Sequence, residues 1–272
     1  MLPEKIFDTG EIVMNYIEGP KSGPTLVMLH GLTARHQAWE PYIQQFMSKW
    51  HVFACDLRGH GKSGRVSGQY RIVDYGRDIA AFLHGHFTKP VTLVGHSLGA
   101  LTALNVACHA PEQVCALVLL DPPLFLRNMP LVAMTSAHGW FSFVHETLKS
   151  SPSFENILTI CRQASPTADE IAVQDMADGI YHLDIDTVVT VLQDQLLAGW
   201  DLERGLKCIT APTLLMYGDW LHDAAMRDED AVFVKAHLPN VVDIKIPNGS
   251  HLFPWEQTDI TMEHIQNFLQ SV

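Results

Sequence analysis

The sequence predicts an α/β fold in which a doubly wound, mostly parallel sheet carries an inserted helical cap. Three observations lead there. Short apolar runs alternate with amphipathic helical patterns along most of the chain, one long stretch interrupts them with helical signals alone, and a Gly-His-Ser-Leu-Gly turn stands between a strand and a helix.

The strands come first. Thr25 to His30, His51 to Asp56, Val91 to Gly95, Ala116 to Asp121, Thr213 to Tyr217 and Val241 to Ile246 are apolar runs bounded by Gly, Pro or polar clusters. Such runs suit strands buried on both faces. Helical patterns lie between and after them. Tyr75, Ile79, Phe82 and Leu83 recur at i, i+4, i+7 and i+8, and Ile265, Phe268, Leu269 and Val272 at i, i+3, i+4 and i+7. Strand then helix, repeated, gives a parallel sheet covered on both faces, with its chemistry at the carboxyl ends of the strands.

From Pro122 to Lys207 the alternation stops. An apolar segment runs through Trp140 and Phe143, a capping-box pattern spans Thr167 to Glu170, and a helical run covers Thr187 to Leu197 after Asp186. The expected division is a core made of residues 1–122 and 208–272, with residues 123–207 as a helical cap over one edge of the sheet.

Composition narrows the function. At 272 residues with 47% apolar and 18% charged side chains, the chain can bury a sizeable core without disulfides. Its net charge of −12 repels phosphate backbones and anionic headgroups, so neither nucleic acid nor a membrane surface is an expected partner. The opening MLPEKIFDTG lacks a signal pattern, and no apolar run approaches the roughly 18 to 20 residues that span a bilayer, so a cytoplasmic monomer or homodimer is expected. Five cysteines form no C-x-x-C pair and sit mostly in apolar stretches, as reduced core thiols do.

The chemistry concentrates at Gly95-His96-Ser97-Leu98-Gly99. This G-x-S-x-G spacing makes a sharp strand-to-helix turn, in which the glycines permit close backbone approach and Ser97 projects in a strained conformation. A serine hydroxyl is a poor nucleophile at neutral pH. It needs a histidine to take its proton and an acid to orient that histidine. Among 15 histidines, His251 in Asn248-Gly249-Ser250-His251 follows the last strand and precedes the last helix, where the base stands in this chain order. Gly61-Lys62-Ser63 would need glycine at position 56 to end a P-loop, and Asp56 stands there; His84/His86 and His182/Asp184 lack metal-ligand spacing. Neither a metal nor a cofactor is expected.

Taken together, these motifs resemble the α/β-hydrolase superfamily over nearly the whole chain. His30-Gly31 resembles its oxyanion loop and Asp56-Leu57-Arg58-Gly59-His60-Gly61-Lys62-Ser63 its D-x-R-G-x-G-x-S turn, followed in order by the nucleophile elbow and the C-terminal histidine segment. The resemblance implies an α/β-hydrolase fold with an oxyanion hole made by the backbone N–H groups of Leu32 and Leu98. The acid departs from the commoner family pattern, because the slot three residues after Gly218 holds Leu221. Three candidates remain. Asp121, 24 residues beyond Ser97 at the end of a strand, has the placement seen in some haloalkane dehalogenases; Asp223 and Asp219 flank the usual slot.

The expected activity is hydrolysis of a small to medium, largely apolar carboxylic ester by a Ser-His-Asp acyl-enzyme route. His96, Phe125, Met129, Trp140 and Trp220 are candidate substrate-binding residues, in keeping with a cap richer in aromatic and methionine side chains than in cations. Lactone hydrolysis and carbon–carbon cleavage use the same triad, and a slowly turning-over ligand sensor could keep it as well.

Overall fold

The computed structural model describes every residue except Met1, Ser151 and Thr167. Its sheet contains β1 (Glu4–Asp8), β2 (Val13–Glu18), β3 (Thr25–Leu29), β4 (His51–Cys55), β5 (Val91–His96), β6 (Val114–Leu120), β7 (Thr213–Tyr217) and β8 (Val241–Lys245), in the spatial order β1-β2-β4-β3-β5-β6-β7-β8. The pairings from β4 to β8 are parallel, and β1 and β2 add an antiparallel edge. That edge hairpin is absent from the expected strands. Its outer strand is mostly exposed and offers no apolar run to read.

Alternation along each central strand divides the core in two. Val27, Leu29, Leu117, Leu119 and Leu215 face α2 (Ile72–His86) and α3 (Leu98–His109). Leu26, Met28, Val118, Leu120 and Met216 face α1 (Glu40–Phe46) and the C-terminal helices α10 (Phe253–Glu256) and α11 (Thr258–Ser271). The expected stripe Tyr75, Ile79, Phe82 and Leu83 is buried on α2; of the C-terminal stripe, Ile265 and Leu269 are buried and Val272 is exposed.

Between β6 and β7 the described residues form helices and no strand: α4 (Thr135–Lys149), α5 (Phe154–Ala164), α6 (Glu170–Tyr181), α7 (Ile185–Leu192) and α8 (Leu202–Cys208); α9 (Asp228–His237) lies between β7 and β8. The first four have their own small core, including Val144, Ile157, Val173, Ile180 and Val188. The capping-box expectation at Thr167 lies outside the described residues; the Asp169 side chain caps α6 by accepting the Ala172 N–H at 2.8 Å. The helix expected from Thr187 to Leu197 begins and ends earlier. Asp184 caps it by accepting the Asp186 N–H at 3.0 Å, and Asp194, at φ 56°, turns the chain out of helical conformation. Two cysteines depart from the expected buried state, because Cys115 precedes the residues where β7 pairs with β6 and Cys208 ends α8; both are exposed.

The D-x-R-G-x-G-x-S turn buttresses this core. Buried Asp56 accepts the backbone N–H of His36 at 2.9 Å and of Lys62 at 3.1 Å and the Asn15 side-chain amide at 2.9 Å, while Arg58 grips Asp78 at 2.6 and 2.8 Å. A β-carbon at Gly61 would lie 2.1 Å from the Asp56 carboxylate, which accounts for glycine there.

From β3 the chain passes to β4 on one side and later returns to β5 on the other. Strand order therefore reverses between β3 and β5, and the crevice beyond their carboxyl ends is where an open α/β sheet places its ligand. Two segments leave the sheet at that crevice. They are the loop from Gly31 and the turn containing Ser97.

Candidate active site

Ser97 sits at φ 53° and ψ −116°, a conformation that side chains other than glycine's adopt only under constraint. The constraint is visible in the neighbouring glycines. A β-carbon at Gly95 would lie 2.4 Å from the Gly99 backbone, and one at Gly99 would lie 2.0 Å from the Leu29 carbonyl oxygen. The elbow thus presses directly on β3. Backbone cannot yield as a flexible side chain does, so Gly99→Ala is expected to cost about 3 kcal/mol or to prevent folding, measured as the shift in urea midpoint; an unchanged midpoint would overturn this reading.

Leu98 is the first residue of α3, where the helix supplies no acceptor for the backbone N–H and the positive end of the helix dipole lies. The second expected donor is held by its neighbours. Buried His30 donates Nδ1–H to the Gly31 carbonyl at 2.8 Å and accepts the Leu57 N–H on Nε2 at 3.0 Å. The Gly31 carbonyl also accepts the Ala34 N–H at 3.1 Å. Because the two polar bonds of a planar trans peptide point opposite ways, anchoring this carbonyl turns the Leu32 N–H away from His30. Gly31 itself lies against the elbow, since a β-carbon there would be 3.2 Å from Ser97 Cβ.

His251 stands in the loop after β8 with its ring partly exposed. Its Nδ1 is 2.7 Å from Asp121 Oδ2, and the Asp121 side chain is completely buried. A carboxylate only accepts, so Nδ1 carries the proton and Nε2 is left with its lone pair. Asp121 also accepts the backbone N–H of Ala225 at 2.6 Å and of Gly218 at 3.3 Å. Its own N–H donates to Met216 at 2.8 Å, and its φ of 45° turns it out of the strand direction at the end of β6.

The other two acids serve the loop and lie elsewhere. Asp219 accepts the Leu221 N–H at 3.2 Å, which is the main reason its carboxyl is held below the usual range. Asp223 is exposed at φ 63° and contributes its backbone carbonyl, which accepts the His251 N–H at 3.2 Å. Leu221, in the slot where the commoner pattern has an acid, is 86% exposed.

Two of the expected substrate-binding residues need correction. His96 is buried, with Nε2 2.9 Å from the His251 carbonyl oxygen, so it packs behind the base. The strand pleat explains this, as neighbouring residues at the end of β5 face opposite ways and only Ser97 projects from the turn. Trp140 is partly buried, pairs with Phe143 at 5.6 Å and packs against the small core of the inserted helices. Phe125 is buried in the large apolar cluster that also includes Leu98, and Trp220, which meets Phe125 edge-on at 5.4 Å, packs against that cluster as Met129 and Leu32 do.

Buried histidines crowd the same strand ends. Burial lowers His30 to about 4 and His60 to about 3, and drives His96 well below its ordinary value. His30 and His60 take up protons in the unfolded chain below about pH 6.5 but in the folded chain only below those values. Stability is therefore full above pH 6.5 and falls as pH drops toward 4 and then 3, by roughly 1.4 kcal/mol per pH unit for each ring. A urea midpoint that holds steady from pH 7 to pH 4.5 would contradict this.

Among the described residues no group of three or more His, Cys, Asp or Glu is arranged to hold a metal ion, and no helix is long and apolar enough to cross a membrane.

A family model described as alpha/beta hydrolase fold matches residues 24–258. Among curated proteins, the chain is 25% identical over 267 residues to 2-(acetamidomethylene)succinate hydrolase of Mesorhizobium japonicum, covering 97% of this chain and 94% of the relative. It is 32% identical over 287 residues to a haloalkane dehalogenase of the same organism, covering 95% and 88%. Among solved structures, the enol-lactonase from Burkholderia xenovorans LB400 superposes with a TM-score of 0.77 at 16% identity, covering 98% of this chain and all of the other.

Proposed function

Because the chain belongs to the α/β-hydrolase fold family, we propose that this hydrolase works through a serine acyl-enzyme, and that its substrates are small to medium, largely apolar carboxylic esters. The observation that carries the proposal is the 2.7 Å contact between Asp121 and His251 Nδ1, beside the strained Ser97 elbow. In this reading His251 Nε2 takes the Ser97 proton as Oγ attacks the acyl carbonyl. The backbone N–H groups of Leu98 and Leu32 then hold the oxyanion. Collapse expels the alcohol, which receives the proton from His251, and water activated by the same ring releases the acid.

Serine at the elbow also bears on the other chemistries of the fold. A carboxylate nucleophile that displaces a halide or opens an epoxide forms an ester whose carbonyl water can attack. The same displacement by Ser97 would leave an ether with no carbonyl, a dead end, so dehalogenation does not carry over from the haloalkane dehalogenase relative. The apolar side chains that follow β6 and β7, Phe125, Met129 and Trp220, suit an apolar acyl group.

A cyclic ester is the second reading, favoured by the similarity to an enol-lactonase, since ring opening needs the same steps with the alcohol still tethered. A panel of chromogenic acyl esters and free lactones, with fluorophosphonate labelling alongside, tests both. Labelling with steady ester turnover supports the first reading, and labelling with lactone turnover alone supports the second. Labelling with a single slow burst would point to a ligand sensor, and absence of labelling would overturn the serine nucleophile.

A further inference from the structure

We propose that His96 is a positioning residue that fixes the backbone of His251, and so the aim of the catalytic base, from behind the site; this rests on the Ser97–His251 reading given above. The residue is 4% exposed, and its Nε2 lies 2.9 Å from the His251 carbonyl oxygen. A carbonyl only accepts, so Nε2 bears the proton and donates. Nδ1 then carries a lone pair, and among the described residues it has no hydrogen-bond partner. It faces Gly31, where a β-carbon would come within 2.8 Å.

Among the described residues, each polar group of His251 except one is tied to a different part of the sheet's carboxyl edge. Its N–H donates to the Asp223 carbonyl in the loop after β7 at 3.2 Å. Its Nδ1–H donates to Asp121 at the end of β6, and its carbonyl accepts from His96 at the end of β5. The group left free is Nε2, the atom that must take the proton from Ser97, the residue next to His96 in the chain. The rings of His96 and His251 lie 4.6 Å apart at 39°, and Trp255 meets His96 edge-on at 4.7 Å, so the ring is packed on two sides as well as bonded.

A neutral ring is the form that suits this place. A second proton on Nδ1 would be buried without an acceptor, next to a base that itself becomes a cation during the reaction. Burial and the neighbouring His251 both act in that direction. His96 therefore supplies a donor that does not titrate in the working range and does not compete with Ser97 for the base.

The test separates the donated hydrogen bond from the packing. His96→Phe keeps an aromatic ring and removes the donor, and His96→Gln restores an N–H at similar reach. The expected result for His96→Phe is a kcat about tenfold to a hundredfold lower with KM within about twofold. Fluorophosphonate labelling of Ser97 should slow in parallel, and the low-field proton resonance of the Asp121–His251 hydrogen bond should broaden. His96→Gln should recover most of the kcat, the labelling rate and the resonance. If His96→Phe fails to fold, His96→Asn, whose shorter amide does not reach the carbonyl, replaces it with the same expectation. Equal impairment of the donor-bearing and donor-free variants, or a donor-free variant within about threefold of the parent, would overturn the assignment. Failure of the underlying reading looks different, because the parent protein itself would then not label.

Discussion

Ser97→Ala is expected to lower kcat/KM for a short-chain chromogenic ester by about four to six orders of magnitude, the cost of losing a covalent nucleophile while binding and oxyanion donors remain. The fold should tolerate it, since the half-buried hydroxyl contributes little to packing and alanine keeps the backbone as it is. Residual activity within tenfold of the parent would remove Ser97 from the mechanism. The backbone offers a second check. At φ 53° and ψ −116° a β-carbon is strained. Ser97→Gly, equally inactive, should therefore unfold later than Ser97→Ala, by about 1 kcal/mol in a urea titration. A glycine variant less stable than the alanine variant would show that the turn is not under strain.

Asp121→Asn should have the second largest effect, lowering kcat about a thousandfold to ten-thousandfold. An amide at this position can offer His251 either an oxygen or an NH2, and the Ala225 N–H at 2.6 Å competes for the oxygen. When the NH2 group faces His251, Nδ1 must accept and Nε2 carries the proton, so the base starts in the wrong tautomer. Asp219→Asn and Asp223→Asn should stay within about threefold of the parent, because their side chains cap or leave the loop after β7. Rate measurements on the three variants distinguish the acids. Activity retained in Asp121→Asn and lost in either of the others would move the acid to the far side of β7.

Much of this molecule is legible without coordinates because local chemistry sets it. The parallel strands β3 to β7 are recognisable since strands covered on both faces must be largely apolar, β8 at the edge shows only the partial pattern Val241, Val242 and Ile244, and the elbow is recognisable since a strand-to-helix turn this tight needs glycine where backbone meets backbone. The order of Ser97 and His251 along the chain is likewise a one-dimensional property. The edge hairpin β1/β2 had no such signal, for its outer strand is mostly exposed and its stability comes from pairing. The choice among Asp121, Asp219 and Asp223 had none either. All three are acids at loop entrances, and what separates them is that β6 lies between the elbow strand and β7 in the sheet, so the end of β6 faces the loop that brings in His251. The orientation of His96 belongs to the same class. Its residue type and place in the chain suggested a ligand contact, whereas its direction depends on the pleat of β5 and on a carbonyl 155 residues away in the sequence. Spacing and residue type determine which groups are present and in what order; only the packing of separate segments decides which polar atoms meet, because a hydrogen bond depends on distances of a few tenths of an ångström between chains that sequence leaves far apart.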